Sequence, residues 1–338
     1  MSAAETVVNN DSLDDIVKFV NSCSRFIIAG HKEPDGDCVG SQLALHSSLL
    51  RLGKEVILCS AGPFKRTELR DYPNQFVSPK VIQDFSNESK GVCKVIILDC
   101  AGLERTGDMQ EYIEKLPCAY IDHHAAVYHP ASTPEEPVYV DANSPSCTLI
   151  IYKLIKALGL EITEEEAELL LFGLCTDTGF FRHLTEKNSV VFETTAEFVR
   201  YGASPKKVFN LMNGGKSLSS RIVTGRILSR IETHFGGKLL SSYETLDEFN
   251  EFGFEGRDSD GLNQLMLSVE GVKATVIIRQ ECADYCTVSL RSIDEINVAQ
   301  IAADFNGGGH KNAAGFTING TIPYVNEIVI KSFQNIFN

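Results

Sequence analysis

The sequence has no tryptophan, only four methionines in 338 residues, and no cysteines spaced C-x-x-C. The last absence excludes the common zinc ribbons. Ten cysteines without that spacing, several inside apolar runs (Cys59, Cys93, Cys118, Cys175), read as reduced core residues of a cytoplasmic protein. Cys282 and Cys286 are too weakly patterned to be a metal site. No apolar run approaches the roughly 20 residues that span a bilayer. The opening stretch, MSAAETVVNNDSLDD, lacks the basic-then-apolar layout of a secretory signal. No membrane partner is therefore expected. A basic excess is missing too: 31 Lys and Arg stand against 45 Asp and Glu, for a formal net charge of −14. Surfaces that hold long nucleic acid are usually basic, so long nucleic acid is not expected as a partner. A small anion held by metals and a few local cations remains compatible with this charge.

What is present is enough for two domains: the chain is 43% hydrophobic and 22% charged. RFIIAG (25–30), EVILC (55–59), KVIIL (94–98) and CAYI (118–121) read as buried strands, and GSQLALHSSLLRLG (40–53) as an amphipathic helix closed by Gly53. Strands alternating with helices predict a parallel sheet with helices on both faces. Residues 145–235 read as mostly helical. From 236 a second, smaller α/β unit begins, with strands in GGKLLSSYET, GVKATVIIRQE and YCTVSLRS and helices at 246–253, 259–268, 297–305 and 323–337. The expected organisation is a catalytic domain over 1–190, a helical connector over 191–235 and a substrate-binding domain over 236–338.

Four stretches carry chemistry: AGHKEPDGDCVGS (29–41), ILDCAG (97–102), YIDHHA (120–125) and GLCTDTGFF (173–181). They offer His31, Asp35, Asp37, Asp99, Asp122, His123, His124 and Asp177. All but Asp177 fall at or near predicted strand ends, where ligands gather in open α/β sheets. Carboxylates converging there repel unless protonated or neutralised, and metal ions are the simplest neutraliser. Oxygen and imidazole donors suit Mn²⁺, with Co²⁺, Fe²⁺ or Mg²⁺ as alternatives. So many candidate ligands suit a pair of ions about 3.5–4 Å apart. Gly36 is expected to let the chain bend between Asp35 and Asp37. Downstream, FNGGGHKNAAGF (305–316) reads as a loop whose bare N–H groups at Gly307, Gly308 and Gly309 approach an anion beside His310. Arg291 is a bidentate phosphate partner, with Ser289 a weaker one. Arg182 follows the TDTGFF stretch and could contact phosphate or base. His46, His129 and His234 lie outside any motif and are expected to be structural, as are Cys38 and Cys100.

HKEPDGD, ILD, IDHH and TDTG together resemble the motif set of the DHH phosphoesterase superfamily, and GGGHKNAAG (307–315) resembles the signature of its DHHA1 domain. Five motifs occur in the family's order across nearly the whole chain. The resemblance is nearest to the oligoribonuclease and pAp-phosphatase group called nanoRNases. It implies that His31, Asp35 and Asp99 hold one metal and that Asp37, Asp99, His123 and Asp177 hold the second, with Asp99 bridging. It implies that His124 faces the phosphate as donor or general acid and that Asp122 orients a histidine or the following turn. It implies that the DHHA1 domain grips the far end of the substrate, and it also implies a homodimer.

The expected reaction is two-metal hydrolysis of short oligoribonucleotides to mononucleotides, and of the 3′-phosphate of pAp. The alternative is a phosphodiesterase for cyclic or linear dinucleotides (c-di-AMP, pApA, pGpG), which would use the same residues. A non-catalytic nucleotide sensor is the alternative of another class, and the presence of Asp37, Asp99 and His123 counts against it. A pyrophosphatase of the same superfamily would carry a Ser-Arg-Lys signature, which this sequence lacks.

Overall fold

The computed structural model describes residues 11–87, 92–124, 133, 135–293 and 295–337. His129 lies outside them. The chain divides into two compact units, Met1–Gly215 and Lys216–Asn338.

The first unit contains, in order, α1 (Leu13–Asn21), β1 (Arg25–Ala29), α2 (Gly36–Arg51), β2 (Glu55–Cys59), α3 (Lys80–Asn87), β3 (Cys93–Leu98), α4 (Gln110–Ile113), β4 (Cys118–Asp122), β5 (Val138–Val140), α5 (Cys147–Ala157), α6 (Glu164–Asp177), α7 (Ser189–Arg200) and α8 (Pro205–Asn213). Its sheet runs β2-β1-β3-β4-β5 with every pair parallel. Side-chain alternation along the strands feeds two cores. Phe26, Ile28, Ile96 and Leu98 pack with α1, α2, α5 and α6 on one face. Ile27, Ala29, Val95 and Ile97 pack with α3 and α4 on the other. Each fully buried aliphatic side chain contributes about 1.5–3 kcal/mol. The helix expected from residue 40 starts at Gly36, because the Asp35 carboxylate caps it by accepting the N–H groups of Asp37 and Cys38 at 3.1 and 3.1 Å. It ends, as expected, before Gly53 at φ +73°.

The second unit contains α9 (Leu218–Ser229), β6 (Glu232–His234), β7 (Leu239–Glu244), α10 (Leu246–Phe252), α11 (Ser259–Leu267), β8 (Ala274–Cys282), β9 (Tyr285–Ser292), α12 (Val298–Asp304), β10 (Gly308–His310), β11 (Ala313–Asn319), α13 (Ile322–Ser332) and α14 (Gln334–Phe337). Its sheet runs β10-β11-β9-β8-β7-β6, antiparallel except for β7 with β8. Leu239, Val276, Ile278, Val288 and Leu290 pack under α12 and α13. Leu240 and Ile277 pack under α9 and α11. The segment 191–235 is shared out: α7 and α8 lie in the first unit, α9 and β6 in the second.

The glycine stretch differs from the loop expected of it. Gly308–His310 is an edge strand in a hairpin with β11. Glycine's poor strand propensity is overridden there by ladder pairing, and β5, β6 and β10 are each three residues long, too short to show a period.

Candidate metal centre

Three neighbouring strands of the first unit deliver the opening set of side chains. His31 follows β1, Asp99 follows β3, and Asp122 is the last residue of β4. The order reverses between β1 and β3, and open parallel sheets bind ligands at such a switch point. Asp99 sits at φ +61°, a left-handed conformation uncommon for a residue with a side chain. Its N–H is fixed on the Ile121 carbonyl at 2.9 Å. Backbone strain of this kind persists where surrounding structure over-determines it.

Asp37 enters from the first turn of α2 and is held by the start of α5. One oxygen accepts the Cys147 N–H at 2.5 Å, and the other accepts the Thr148 N–H and hydroxyl at 2.9 and 2.8 Å. Asp177 arrives as the last residue of α6. Helices α2 and α6 approach closely through glycines. A Cβ on Gly36 would lie 2.4 Å from the Thr176 side chain, and one on Gly173 would lie 2.4 Å from Thr148 and 2.9 Å from Asp37. The bend expected at Gly36 is therefore absent: it is the first residue of the helix, and contact with Thr176 is what demands glycine there.

The histidines are oriented from behind. A carbonyl only accepts, so His31 donates Nδ1–H to Lys32 (2.8 Å) and His123 donates Nδ1–H to Ser144 (3.2 Å). Both rings thus turn Nε2 toward the carboxylates. His31 Nε2 lies 3.4 Å from Asp99 and 3.9 Å from Asp35. His123 Nε2 lies 3.1 Å from Asp177, 3.4 Å from Asp99 and 3.8 Å from Asp37. His124 differs. Its Nδ1 donates to Asp122 at 2.7 Å, and the same carboxylate oxygen accepts the N–H groups of His123 and His124. Asp122 thus orients both a ring and a turn, and it leaves the His124 side chain half exposed.

The charges are unbalanced. Burial pushes the Asp37 carboxyl up, and the facing Asp99 and Asp177 push it further, although three donors select its ionised form. Burial likewise raises Asp177. Burial opposes charge on Asp99 as well, but His123 and His31 outweigh it and hold that carboxyl well below the usual range. Burial opposes protonation of His31 and His123. Cys38 and Asp99 beside the first ring, and Asp177 and Asp99 beside the second, outweigh it and drive them up to about 12 and about 11. The hydrogen bond to Asp122 also raises His124. The cluster thus demands positive charge. Asp99 Oδ1 and His123 Nε2 are buried without a hydrogen-bond partner among the described residues, a costly state that a divalent cation relieves. Among the described residues, three donor sets have their ligand atoms within 4.8 Å of one another: His31, Cys38 and Asp99; Asp99, His123 and His124; Asp37, His123 and Asp177. These residues fit a metal centre. Asp35 is in none of the sets. Sequence reasoning missed Ser144, Thr148 and the α5 N-terminus, for which the only sequence signal is the cap-like SPSCT stretch.

The substrate-binding candidates fall in both units. Arg182 is exposed in the first, its guanidinium 3.3 Å from His183. In the second, strand register sets two rows: Arg291–Ala313–His310 and Ser289–Gly315–Gly308. Residues directly opposite share a face, so Arg291, Ser289 and His310 stand around a floor of small residues. His234, outside this group, is hydrogen-bonded to Ser241 at 2.8 Å.

Two family models match the chain: the DHH family N-terminal domain over residues 25–174 and the DHHA1 domain over 220–337. The bifunctional oligoribonuclease and PAP phosphatase NrnA of Thermus thermophilus is 30% identical over 301 residues, 87% of this chain and 84% of its own. The Bacillus subtilis protein of the same name is 26% identical over 310 residues, 90% of this chain and 92% of its own. The crystal structure of an exopolyphosphatase-related protein from Bacteroides fragilis shares the fold, with a TM-score of 0.81 over 96% of this chain and 97% of that one, at 24% identity. Both family regions in order, on a relative aligned over most of its length, establish that the chain belongs to the DHH/DHHA1 phosphoesterase family of metal-dependent hydrolases.

Proposed function

We propose that the protein hydrolyses short oligoribonucleotides to nucleoside monophosphates and removes the 3′-phosphate of pAp, using two divalent cations, Mn²⁺ by preference. The observation that carries the metal reading is the pair of buried, unpartnered atoms Asp99 Oδ1 and His123 Nε2, 3.4 Å apart among converging carboxylates. The substrate class is supported by the activities named for the Thermus thermophilus and Bacillus subtilis relatives. His31, Asp35 and Asp99 would hold one ion, and Asp37, Asp99, His123 and Asp177 the other. Such ions, when bound, supply Lewis-acid polarisation of the phosphate and acidify water. The chain's own residues do the rest. Asp122 fixes His124 through Nδ1, so the Nε2–H of the protonated ring donates to a phosphoryl or leaving oxygen. Arg291, Ser289 and His310, with the bare backbone of Gly307, Gly308 and Gly309, bind a second anionic or sugar group, and Arg182 meets phosphate or base.

The test is turnover by purified protein with Mn²⁺ on di- to pentaribonucleotides, pAp, cyclic dinucleotides and pyrophosphate. The expected result is mononucleotide release from the short RNAs and phosphate release from pAp, both abolished by Asp37→Ala. Preferential cleavage of cyclic dinucleotides would replace this substrate assignment, and full activity in Asp37→Ala would overturn the metal assignment.

A further inference from the structure

Asp177 ends α6, and the turn that follows it is strained. Gly179, Phe180 and Phe181 have φ of +58°, +56° and +72°, three left-handed residues in a row, of which only the first is glycine. The surroundings over-determine this conformation. The Phe180 N–H donates to the Cys175 carbonyl at 2.7 Å, the Phe181 N–H to the Thr178 hydroxyl at 3.1 Å and the His183 N–H to the Thr178 carbonyl at 3.1 Å. The two rings are anchored as well. Phe180 packs edge-on against Phe209 of α8 with ring centres 5.2 Å apart, and Phe181 lies 5.5 Å from Phe192 of α7. Strained backbone of this kind clusters at active sites and ligand clamps. What it achieves is visible in the next two side chains, both exposed. The chain doubles back, so that a Cβ on Gly179 would lie 2.7 Å from His183 Nε2 and 3.5 Å from Arg182 Nη2. Arg182 Nη2 is 3.3 Å from His183 Nε2. A guanidinium only donates, so Nε2 accepts and the ring is neutral, with its proton on Nδ1. Burial, with Arg182 beside it, holds the imidazole below its ordinary 6.5, although Asp177 pulls the other way. Among the described residues Arg182 has no carboxylate partner, in a chain with 45 acids.

We propose that His183 is the positioning residue of Arg182: it seats the guanidinium over Gly179 so that its free edge meets a phosphoryl oxygen of the substrate rather than a base. The inference rests on the reading of Arg182 as a substrate contact and of Asp177 as a metal ligand. Phosphate is the partner because the turn begins at Asp177, where that reading puts the phosphoryl group. One N–H of the guanidinium goes to His183, and the others remain for a planar, two-point contact with phosphate. An arginine alone on an exposed turn spreads over many rotamers, and substrate binding must then supply the ordering. His183 orders it beforehand. Glycine is required at 179 because any side chain there would push the pair off this seat.

AMP titrated calorimetrically into the Mn²⁺-loaded full-length protein tests this by binding, apart from turnover. Arg182→Ala should weaken AMP binding about 10–100-fold, the scale of hydrogen bonds to a charged group. The factor should be the same for GMP, CMP and UMP, because a phosphate contact carries no base information. His183→Leu should weaken binding about 3–10-fold. His183→Gln, whose Oε1 can accept where Nε2 did, should restore it. The double variant Arg182→Ala/His183→Leu should bind no worse than Arg182→Ala, and Mn²⁺ affinity in equilibrium dialysis should stay at the wild-type value throughout. A loss confined to one base, additive effects in the double variant, or a parallel fall in Mn²⁺ affinity overturns the proposal and leaves the metal-dependent hydrolase standing. A wild type that with Mn²⁺ neither binds AMP nor cleaves short oligoribonucleotides overturns that reading as well. Both side chains are exposed, and should His183→Leu fail to fold, His183→Ala takes its place in the same cycle.

Discussion

Gly307, Gly308 and Gly309 are chemically identical and stand in three different surroundings. A Cβ on Gly307 would meet the Gly315 carbonyl and Phe316 at 2.4 Å each. Gly309 has φ +143° and would meet the Ala313 carbonyl at 2.4 Å. At Gly308 a Cβ would meet nothing within 4 Å. The outer two are glycine because the hairpin closes over them. The middle one meets no such contact among the described residues, and bare backbone there suits an approaching ligand. Gly308→Ala should therefore unfold at the wild-type temperature while KM for a short oligoribonucleotide rises. Gly307→Ala should lose about 1–3 kcal/mol, the usual cost of overpacking, in urea unfolding. A stability loss in Gly308→Ala equal to that in Gly307→Ala would contradict this division. At this scale the sequence was most legible where chemistry is contiguous. Asp122, His123 and His124 announce themselves because three titratable groups are an expensive way to end a buried strand. Thr148 and Ser144 were illegible because serine and threonine around a helix start are ordinary caps and first-turn residues, and only the fold shows that Asp37 and His123 lean on them.

At the scale of elements, the centre depends on how α2 and α6 are joined. Glu166, in the first turn of α6, has no exposed side-chain surface and reaches into α2. It accepts Arg51 at 2.6 Å and the hydroxyls of Ser47 and Ser48 at 2.9 and 2.9 Å, and it closes a capping box through the Thr163 N–H at 3.0 Å. Burial works against its charge, but these donors outweigh it and lower its pKa below the ordinary 4.5. A depressed carboxyl stabilises the fold fully above the unfolded-state value, and that contribution disappears as pH falls through the folded-state value. Glu166→Gln should cost about 3 kcal/mol near neutral pH, since it leaves Arg51 facing a neutral amide. In urea unfolding the gap between wild type and variant should stay constant down to about pH 5 and narrow below that. A gap that widens on acidification would mean the carboxyl is not held ionised by these partners. The capping box was readable as TEEE, with acids in a first helical turn. The contact it supports was not, because Gly36 and Gly173 lie far apart in sequence and glycine in a helix carries no sign of what it packs against. The same blindness to pairing hid β10.

At the scale of the molecule, each unit has its own apolar core, and the candidate metal centre lies entirely in the first. Among the described residues the histidines and Arg66, 4.0 Å from Asp35, are the nearby counter-charges to the converging carboxylates of Asp35, Asp37, Asp99 and Asp177, and the repulsion among these is carried by the first unit. A ligand that binds only the folded state stabilises it by about 2.7 kcal/mol at a hundred times its dissociation constant. For a domain of some 150–250 residues, each kcal/mol moves the midpoint by about 2–4 °C. Mn²⁺ in that excess should therefore raise the first unit's unfolding temperature by about 5–10 °C over the chelator-treated protein. The gain should appear as slowed hydrogen exchange in α2, α5 and α6, the helices that deliver and brace Asp37 and Asp177. Amides of β8 and β9, in the core of the second unit, should exchange at the same rate with and without metal. Asp37→Ala should abolish the shift, since it removes a ligand and frees the α5 N-terminus of the carboxylate that occupies it. Equal metal protection in both units would place the binding energy elsewhere than in the constellation around Asp99. An unchanged midpoint at saturating Mn²⁺ would mean that the converging acids are satisfied by protons, and that Asp99 Oδ1 and His123 Nε2 are left unpartnered for some other reason.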